Sequence, residues 1–266
     1  MIFAQLPTYF SLSSDVLFVQ GRQYHVTQSY TLEPQPDYLD ACLVTTLQLH
    51  VSPDSPPGDI LVFLTGQDEI ESLLSLLNDA RQQLPLDAPD LLPLPLYAAL
   101  PPGLQVRVFQ PAPAGTRKVI LATNVAETSV TINGVRFVVD SGFAKERTFN
   151  ARVGMETLTV MPVSRAAARQ RTGRAGREAP GFAYRLYTEE AFYQLQENTV
   201  PEIHRASLAG VILMMKAFGI KDIAQFDFFD APPAEAVLRA LETLFALGFL
   251  DEKGEMSVQG KAAAEF

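Results

Sequence analysis

Between Asp59 and Tyr187, short β-rich runs alternate with stretches of helical periodicity. No other feature constrains the fold as tightly, because this alternation is the sequence sign of a parallel sheet flanked by helices. Ile60 to Leu64 reads as a buried strand. In Gln67 to Gln83, residues Ile70, Leu73, Leu74, Leu77 and Ala80 recur at helical spacing. Pro85 to Pro95 reads as a proline-rich loop and Leu94 to Tyr97 as a strand. Pro101 and Pro102 open a helix where proline is tolerated. Further strands are expected at Lys118 to Ala122, Val135 to Asp140 and Phe182 to Tyr187. Phe143 to Val163 alternates as a β-hairpin turning near Val153-Gly154. The expected class is α/β, a parallel sheet with flanking helices and an inserted hairpin.

From about Thr199 the chain becomes helix-rich, which predicts a second domain over 199–266. Leu238, Leu241, Leu244 and Phe245 form one apolar helical face after Pro232-Pro233, and Gly248 ends that helix. Asp251 to Glu255 has turn chemistry between Phe249-Leu250 and Met256-Val258, predicting a small two-stranded wing. Ala262 to Phe266 reads as the start of another helix without a capping signal, as if the chain were cut there.

With 266 residues, 47% of them hydrophobic, the chain can bury a substantial core. It has no apolar run of membrane-spanning length and no basic-then-apolar leader pattern, so an intracellular protein with no membrane partner is expected. Cys42, the sole cysteine, excludes an intrachain disulfide and a cysteine metal cluster, and reads as a buried inert thiol. No metal-ligating set is expected. The net charge of −9 is unevenly spread: Lys145 to Arg177 holds eight basic residues against Glu146 and Glu156, a local balance of +6. Such a cluster reads either as anion-directed chemistry or as a solvated basic face.

The sharpest motif is QRTGRAGR at 170–177, preceded by the helix-forming Arg165 to Arg169. If the helix continues through it, Gln170, Arg174 and Arg177 share one face. Glycine is costly inside a helix, so Gly173 and Gly176 point to close approach by a ligand or another backbone. Two fork-shaped cations side by side suit the spread charge of a phosphoryl group in transfer; a surface salt-bridge ladder is the plainer alternative.

This segment resembles motif VI of DEAH-box helicases. ILVFLTGQDEIE at 60–71 is similar to motif IV of that family and ATNVAETSVTI at 122–132 to motif V, with VDSG at 139–142 following. Pro201-Glu202-Ile203, Phe226-Asp227-Phe228, Asp230-Ala231-Pro232-Pro233 and Leu247-Gly248 resemble the family's winged-helix domain. The resemblance covers roughly 24–266. It implies a second RecA-like helicase lobe over 24–198, a truncated winged-helix domain over 199–266, and the tail of a first RecA-like lobe in 1–23.

The resemblance further implies that Gln170, Arg174 and Arg177 face the γ-phosphate of ATP and its attacking water, the arginines as fingers. Phe109 matches the aromatic that stacks on adenine, although spacing alone reads it equally as a core residue. Ser129, Thr131 and Asn133 fall where motif V approaches the nucleotide; at Asn133 the family more often has aspartate. Thr65, Gly66, Thr123 and Asn124 match RNA contacts at strand ends; the threonines also read as turn or cap residues. The 143–163 hairpin matches a strand-separating wedge, or is a plain connection. Implied cofactors are ATP and Mg2+, the metal held mainly by a first lobe. Implied partners are single-stranded RNA or a duplex junction, the first lobe, and a ribonucleoprotein particle or activator protein, with nucleus or nucleolus favoured over cytoplasm.

The sequence contains neither G-x-x-x-x-G-K-[ST] nor a DEAH string, so this chain alone is expected to be inactive. A non-catalytic nucleic-acid or protein binding module derived from such a helicase is the alternative. Against nucleic-acid binding by 199–266 stands its charge, because Arg205, Lys216, Lys221, Arg239, Lys253 and Lys261 are offset by many acids. A DNA or viral helicase with a related motif VI is a further alternative, disfavoured by NVAETSVTI.

Overall fold

The computed structural model describes residues 24–85, 88–128, 130–150 and 153–265. These divide into two compact units: 24–146 with 160–199, and 147–159 with 200–265.

The larger unit is built on strands β1 (Val26–Tyr30), β2 (Asp59–Phe63), β3 (Asp90–Leu96), β4 (Thr116–Ala122), β5 (Val135–Asp140) and β8 (Gly181–Arg185). All neighbours pair in parallel, in the order β1-β8-β5-β2-β4-β3. Helices α1 (Tyr38–Val51), α2 (Gln67–Arg81), α3 (Arg165–Thr172) and α4 (Glu189–Gln194) accompany the sheet. Central β2 is buried along its whole length. Its alternate residues serve two cores, Ile60 and Val62 packing with α1 and α2, Leu61 and Phe63 with Leu94, Val108 and Ile120. That two-sided burial is why its sequence is continuously apolar.

Three sequence expectations need correction here. The stretch taken as a proline-rich loop ends inside β3, where Pro93 pairs with Val119 and Pro95 with Leu121. Proline is tolerated because β3 is an edge strand, and two prolines two residues apart remove N–H groups on the same, unpaired side. Neither β1 nor α1 was expected as an element; β1 is a mostly exposed edge strand. The last strand runs from Gly181 to Arg185 rather than from Phe182 to Tyr187.

The inserted hairpin consists of β6 (Phe143–Asn150) and β7 (Met155–Pro162), turning through Gly154 at φ +70°. Its neck, in the larger unit, is closed by the Val163 N–H to the Gly142 carbonyl at 2.9 Å. In the smaller unit, the Phe149 N–H donates to the Arg205 carbonyl at 2.7 Å.

The smaller unit contains α5 (Ala209–Ala217), α6 (Ala234–Ala246) and α7 (Val258–Ala263). Its core joins Leu208, Ile212, Ile223, Ala240, Leu244 and Leu250. The expected α6 face is displaced: Leu244 is buried, but Leu238 and Phe245 are 58% and 52% exposed, and Ala236 and Ala240 take the inner positions. Gly248, at φ +72°, follows the helix end as expected. The wing is a single antiparallel bridge, Leu250 to Met256, and Val258 belongs to α7 instead. Ser257 caps that helix, accepting the Gly260 N–H at 2.9 Å, so the final helix does carry a capping signal.

Among the described residues no helix is long and apolar enough to cross a membrane. Cys42 is buried, which pushes its thiol pKa up.

Candidate functional site

Helix α3 begins at Ser164, whose hydroxyl accepts the Ala167 N–H at 3.0 Å. It ends at Thr172 with Gly173 as its cap, so the expected continuous helix through 177 is corrected. Residues 174 and 175 are held by three-residue turns to Arg171 and Thr172. Gly176 then meets the backbone leading into β1: the Tyr24 N–H donates to its carbonyl at 2.9 Å, and a Cβ there would stand 2.7 Å from the Tyr24 carbonyl oxygen. The close approach signalled by this glycine is thus that of another backbone.

The consequence is that Gln170, Arg174 and Arg177 do not share a helical face. Gln170 is exposed on α3, and the two arginines reach from the turns onto the β4–β5 connection. Arg174 donates to the Val130 carbonyl at 2.8 Å and to the Glu127 carbonyl. Arg177 donates to the Thr131 hydroxyl. Carbonyls orient a guanidinium without neutralising it. Burial, followed by the charge of Arg177, lowers the pKa of Arg174 against the opposing charge of Glu127. Arg174, Arg177 and Thr131 are therefore brought together; Ser129 lies outside the described residues. Asn133 is exposed next to Gly134, whose N–H donates to Glu178 at 2.9 Å.

Phe109 ends the one-turn segment Val106–Phe109. The residue is 41% exposed and Val108 takes the core position, against the core-residue alternative. A residue that sequence reading passed over anchors this segment: buried Lys118 donates to the Val108 and Gln110 carbonyls, each at 2.9 Å, with Asp59 at 3.3 Å.

Thr65 and Gly66 follow β2, and Thr123 and Asn124 follow β4. Because Phe63 pairs with Ala122, the two loops adjoin at the carboxyl end of the sheet. Glu69 fixes the first loop: one carboxylate oxygen accepts the Thr65 N–H at 3.0 Å and the other accepts the Tyr38 hydroxyl. Burial, reinforced by Glu69, pushes Tyr38 up to about 12. Gly66 starts α2, and the Lys145 ammonium would stand 3.3 Å from a Cβ placed there. The Thr123 carbonyl accepts the Ala126 N–H at 3.1 Å and opens the turn Val125–Thr128; Asn124 is exposed.

The basic cluster is not one open cationic face. Arg165 and Arg169 both pair with Glu197, the latter at 2.8 Å. Arg171 is fully buried. It donates to Asp140 at 2.7 Å, to Glu127 at 3.2 Å and twice to the Phe143 carbonyl at 3.2 Å, and lies 4.7 Å over the Phe63 ring. Burial opposes its charge, but Asp140 and Glu127 outweigh it and hold the Arg171 pKa above its ordinary value. Sequence reading counted Arg171 only as one cation in a cluster. Its motif position was visible, but its partners are 31 and 44 residues away.

Comparison with known proteins identifies the family. The family of the helicase conserved C-terminal domain matches residues 41–179, more than half of the chain. The chain is 49% identical over 252 residues to the pre-mRNA-splicing factor ATP-dependent RNA helicase prp22 of Schizosaccharomyces pombe, covering 94% of this chain and 21% of that protein. It is 52% identical over 238 residues to the pre-mRNA-splicing factor ATP-dependent RNA helicase DEAH10 of Arabidopsis thaliana, covering 90% and 33%. The crystal structure of the Escherichia coli DEAH/RHA helicase HrpB superposes with a TM-score of 0.85 at 34% identity, over 98% of this chain and 32% of that one. The chain thus spans a third or less of the length of these relatives. With its RecA-like parallel sheet, the chain belongs to the helicase conserved C-terminal domain family, in its DEAH-box branch.

Proposed function

We propose that this chain acts as the second RecA-like lobe of an ATP-dependent RNA helicase, completing a nucleotide site whose phosphate-cradling half lies on a first lobe. The observation that carries this is the pair Arg174 and Arg177, oriented by carbonyls and a hydroxyl and not by carboxylates. Such guanidiniums can stabilise the charge that develops on a phosphoryl group in transfer. Gln170 orients the attacking water, Phe109 stacks on the adenine, and Ser129, Thr131 and Asn133 line the nucleotide from motif V. Among the described residues no three His, Cys, Asp or Glu side chains gather as a metal would need. In this reading Mg2+ is held by the first lobe.

Thr65, Gly66, Thr123 and Asn124 hold the phosphates and 2′-hydroxyls of single-stranded RNA without reading its bases. The β6–β7 hairpin acts as a steric wedge at a duplex junction. The two relatives named pre-mRNA-splicing factors support a ribonucleoprotein substrate and a nuclear setting as part of this proposal.

The test is ATP turnover, with and without single-stranded RNA, by this chain fused behind a first RecA-like lobe of a DEAH-type enzyme. RNA-stimulated turnover is expected, and Arg174→Ala or Arg177→Ala should each lower kcat by roughly a thousandfold or more, the worth of an arginine finger. A folded fusion without turnover would leave a non-catalytic binding module.

A further inference from the structure

Three segments converge on the guanidinium of Arg171. Asp140 ends β5, Glu127 lies in the β4–β5 connection, and Phe143 opens the hairpin. Each partner is itself bonded to a further part of the proposed site. The Asp140 carboxylate also accepts the Gly142 N–H at 3.0 Å and the Tyr187 hydroxyl at 3.0 Å, which fixes the hairpin neck. Gly142 sits at φ +83°, and a Cβ there would strike the Tyr187 ring at 2.5 Å. The Phe143 ring stacks on Tyr38 at 5.1 Å, and Tyr38 bonds the carboxylate that holds the Thr65 loop. Glu127 also bonds Arg174 through its backbone carbonyl. Arg171 stands three residues before Arg174, joined to it by the Arg174 N–H to Arg171 carbonyl bond at 3.0 Å.

A buried ion pair is weak evidence of a stability device, because well-packed apolar residues often serve as well, whereas fixing register or switching is its best-attested use. A guanidinium is suited to that use here: its planar fork meets three acceptors in fixed directions from separate nitrogens, whereas an ammonium is a single point of charge with rotatable donors. We propose that Arg171 is a positioning residue that ties the neck of the β6–β7 hairpin to the loop carrying Arg174 and Arg177, so that RNA engaged at the hairpin sets the placement of those arginines. This rests on the helicase reading above and adds to it the route by which RNA reaches the finger loop.

The experiment is hydrogen exchange of this chain, read by mass spectrometry, with and without a short RNA duplex bearing a single-stranded oligouridylate tail. In the unsubstituted chain, RNA is expected to slow exchange at 65–66, 123–124 and 142–146, and also at 173–177 by roughly five- to a hundredfold, the size of typical coupling between sites. In Arg171→Lys, and independently in Glu127→Gln, the slowing at 142–146 persists and that at 173–177 is lost. Exchange in β5 without RNA reports whether each variant has folded, and if Arg171→Lys has not, Glu127→Gln decides. A merely structural role would loosen β5 equally with and without RNA. Slowing at 173–177 that survives in the folded variants overturns the inference, as does RNA protection in the unsubstituted chain that never reaches 173–177. No protection anywhere would instead overturn the RNA reading, and the inference with it.

Discussion

Enclosing a guanidinium costs several kcal/mol of lost hydration, and Arg171 recovers it only because Asp140, Glu127 and the Phe143 carbonyl occupy its fork. Replacing it by methionine strands two carboxylates, so Arg171→Met should lower unfolding stability by about 3–5 kcal/mol in urea titration. An unchanged midpoint would mean that water reaches the site. His50 makes a second residue-scale prediction. Its Nε2 is 2.9 Å from the Pro89 carbonyl, while Nδ1 is buried without a partner, so the neutral ring fits and the cation does not. Burial accordingly lowers its pKa from 6.5. A depressed folded pKa gives stability that is complete above the unfolded value and lost as pH falls from there toward the folded value. Stability should therefore decline below about pH 6.5, and His50→Gln should flatten that slope in pH-dependent melting. At this scale the arginines of motif VI were legible because they lie close together in the chain. The Arg171 cluster was not, since charge pairing across 31 and 44 residues leaves no periodic trace.

Among the elements, legibility followed the two-faced patterns. Buried β2 and amphipathic α2 announced themselves, and the hairpin was marked by alternation and by Gly154. Helix α1 did not, because Leu39, Ala41, Cys42, Leu43, Val44, Leu47 and Leu49 surround it with apolar side chains and blur the 3.6-residue period. Its start was nevertheless written in Asp37, which accepts the Leu39 and Asp40 N–H groups at 2.9 and 3.1 Å. Edge strand β1, VTQSY, buries too little to show alternation. The extent of α3 was overestimated because the packing of Gly176 against Tyr24 is a tertiary fact. At its other end the cap is local, Ser164 accepting the Ala167 N–H, and the Thr199 hydroxyl 2.9 Å away adds a distant bond to it. Ser164→Ala should cost about 1 kcal/mol by thermal or chemical denaturation. A loss of a few tenths at most would show that the anchoring of Arg165 to Glu197 suffices to start the helix.

For the whole molecule, net charge and local chemistry point in different directions. Under the proposed function, a chain of net charge −9 would hold RNA through a few placed contacts, not a field. Its strand-end loops offer neutral Thr65, Gly66, Thr123 and Asn124 with Lys145 beside them, while Arg165, Arg169 and Arg171 are paired with carboxylates. The affinity for single-stranded RNA should therefore fall only gently with salt, with a slope of log K against log salt no steeper than about −2. A slope near −5 in anisotropy titrations would place the main RNA surface elsewhere. The sheet order carries a last consequence. Strand β1 pairs with β8, the last of the sheet strands along the chain, Val26 opposite Gly181 and Tyr30 opposite Arg185. A ribosome adds roughly 5–20 residues per second, so β1 is made about 8–30 seconds before its partner exists. During synthesis the sheet grows from its far side, and a polar strand unattractive to neighbouring chains is the safest kind to leave waiting.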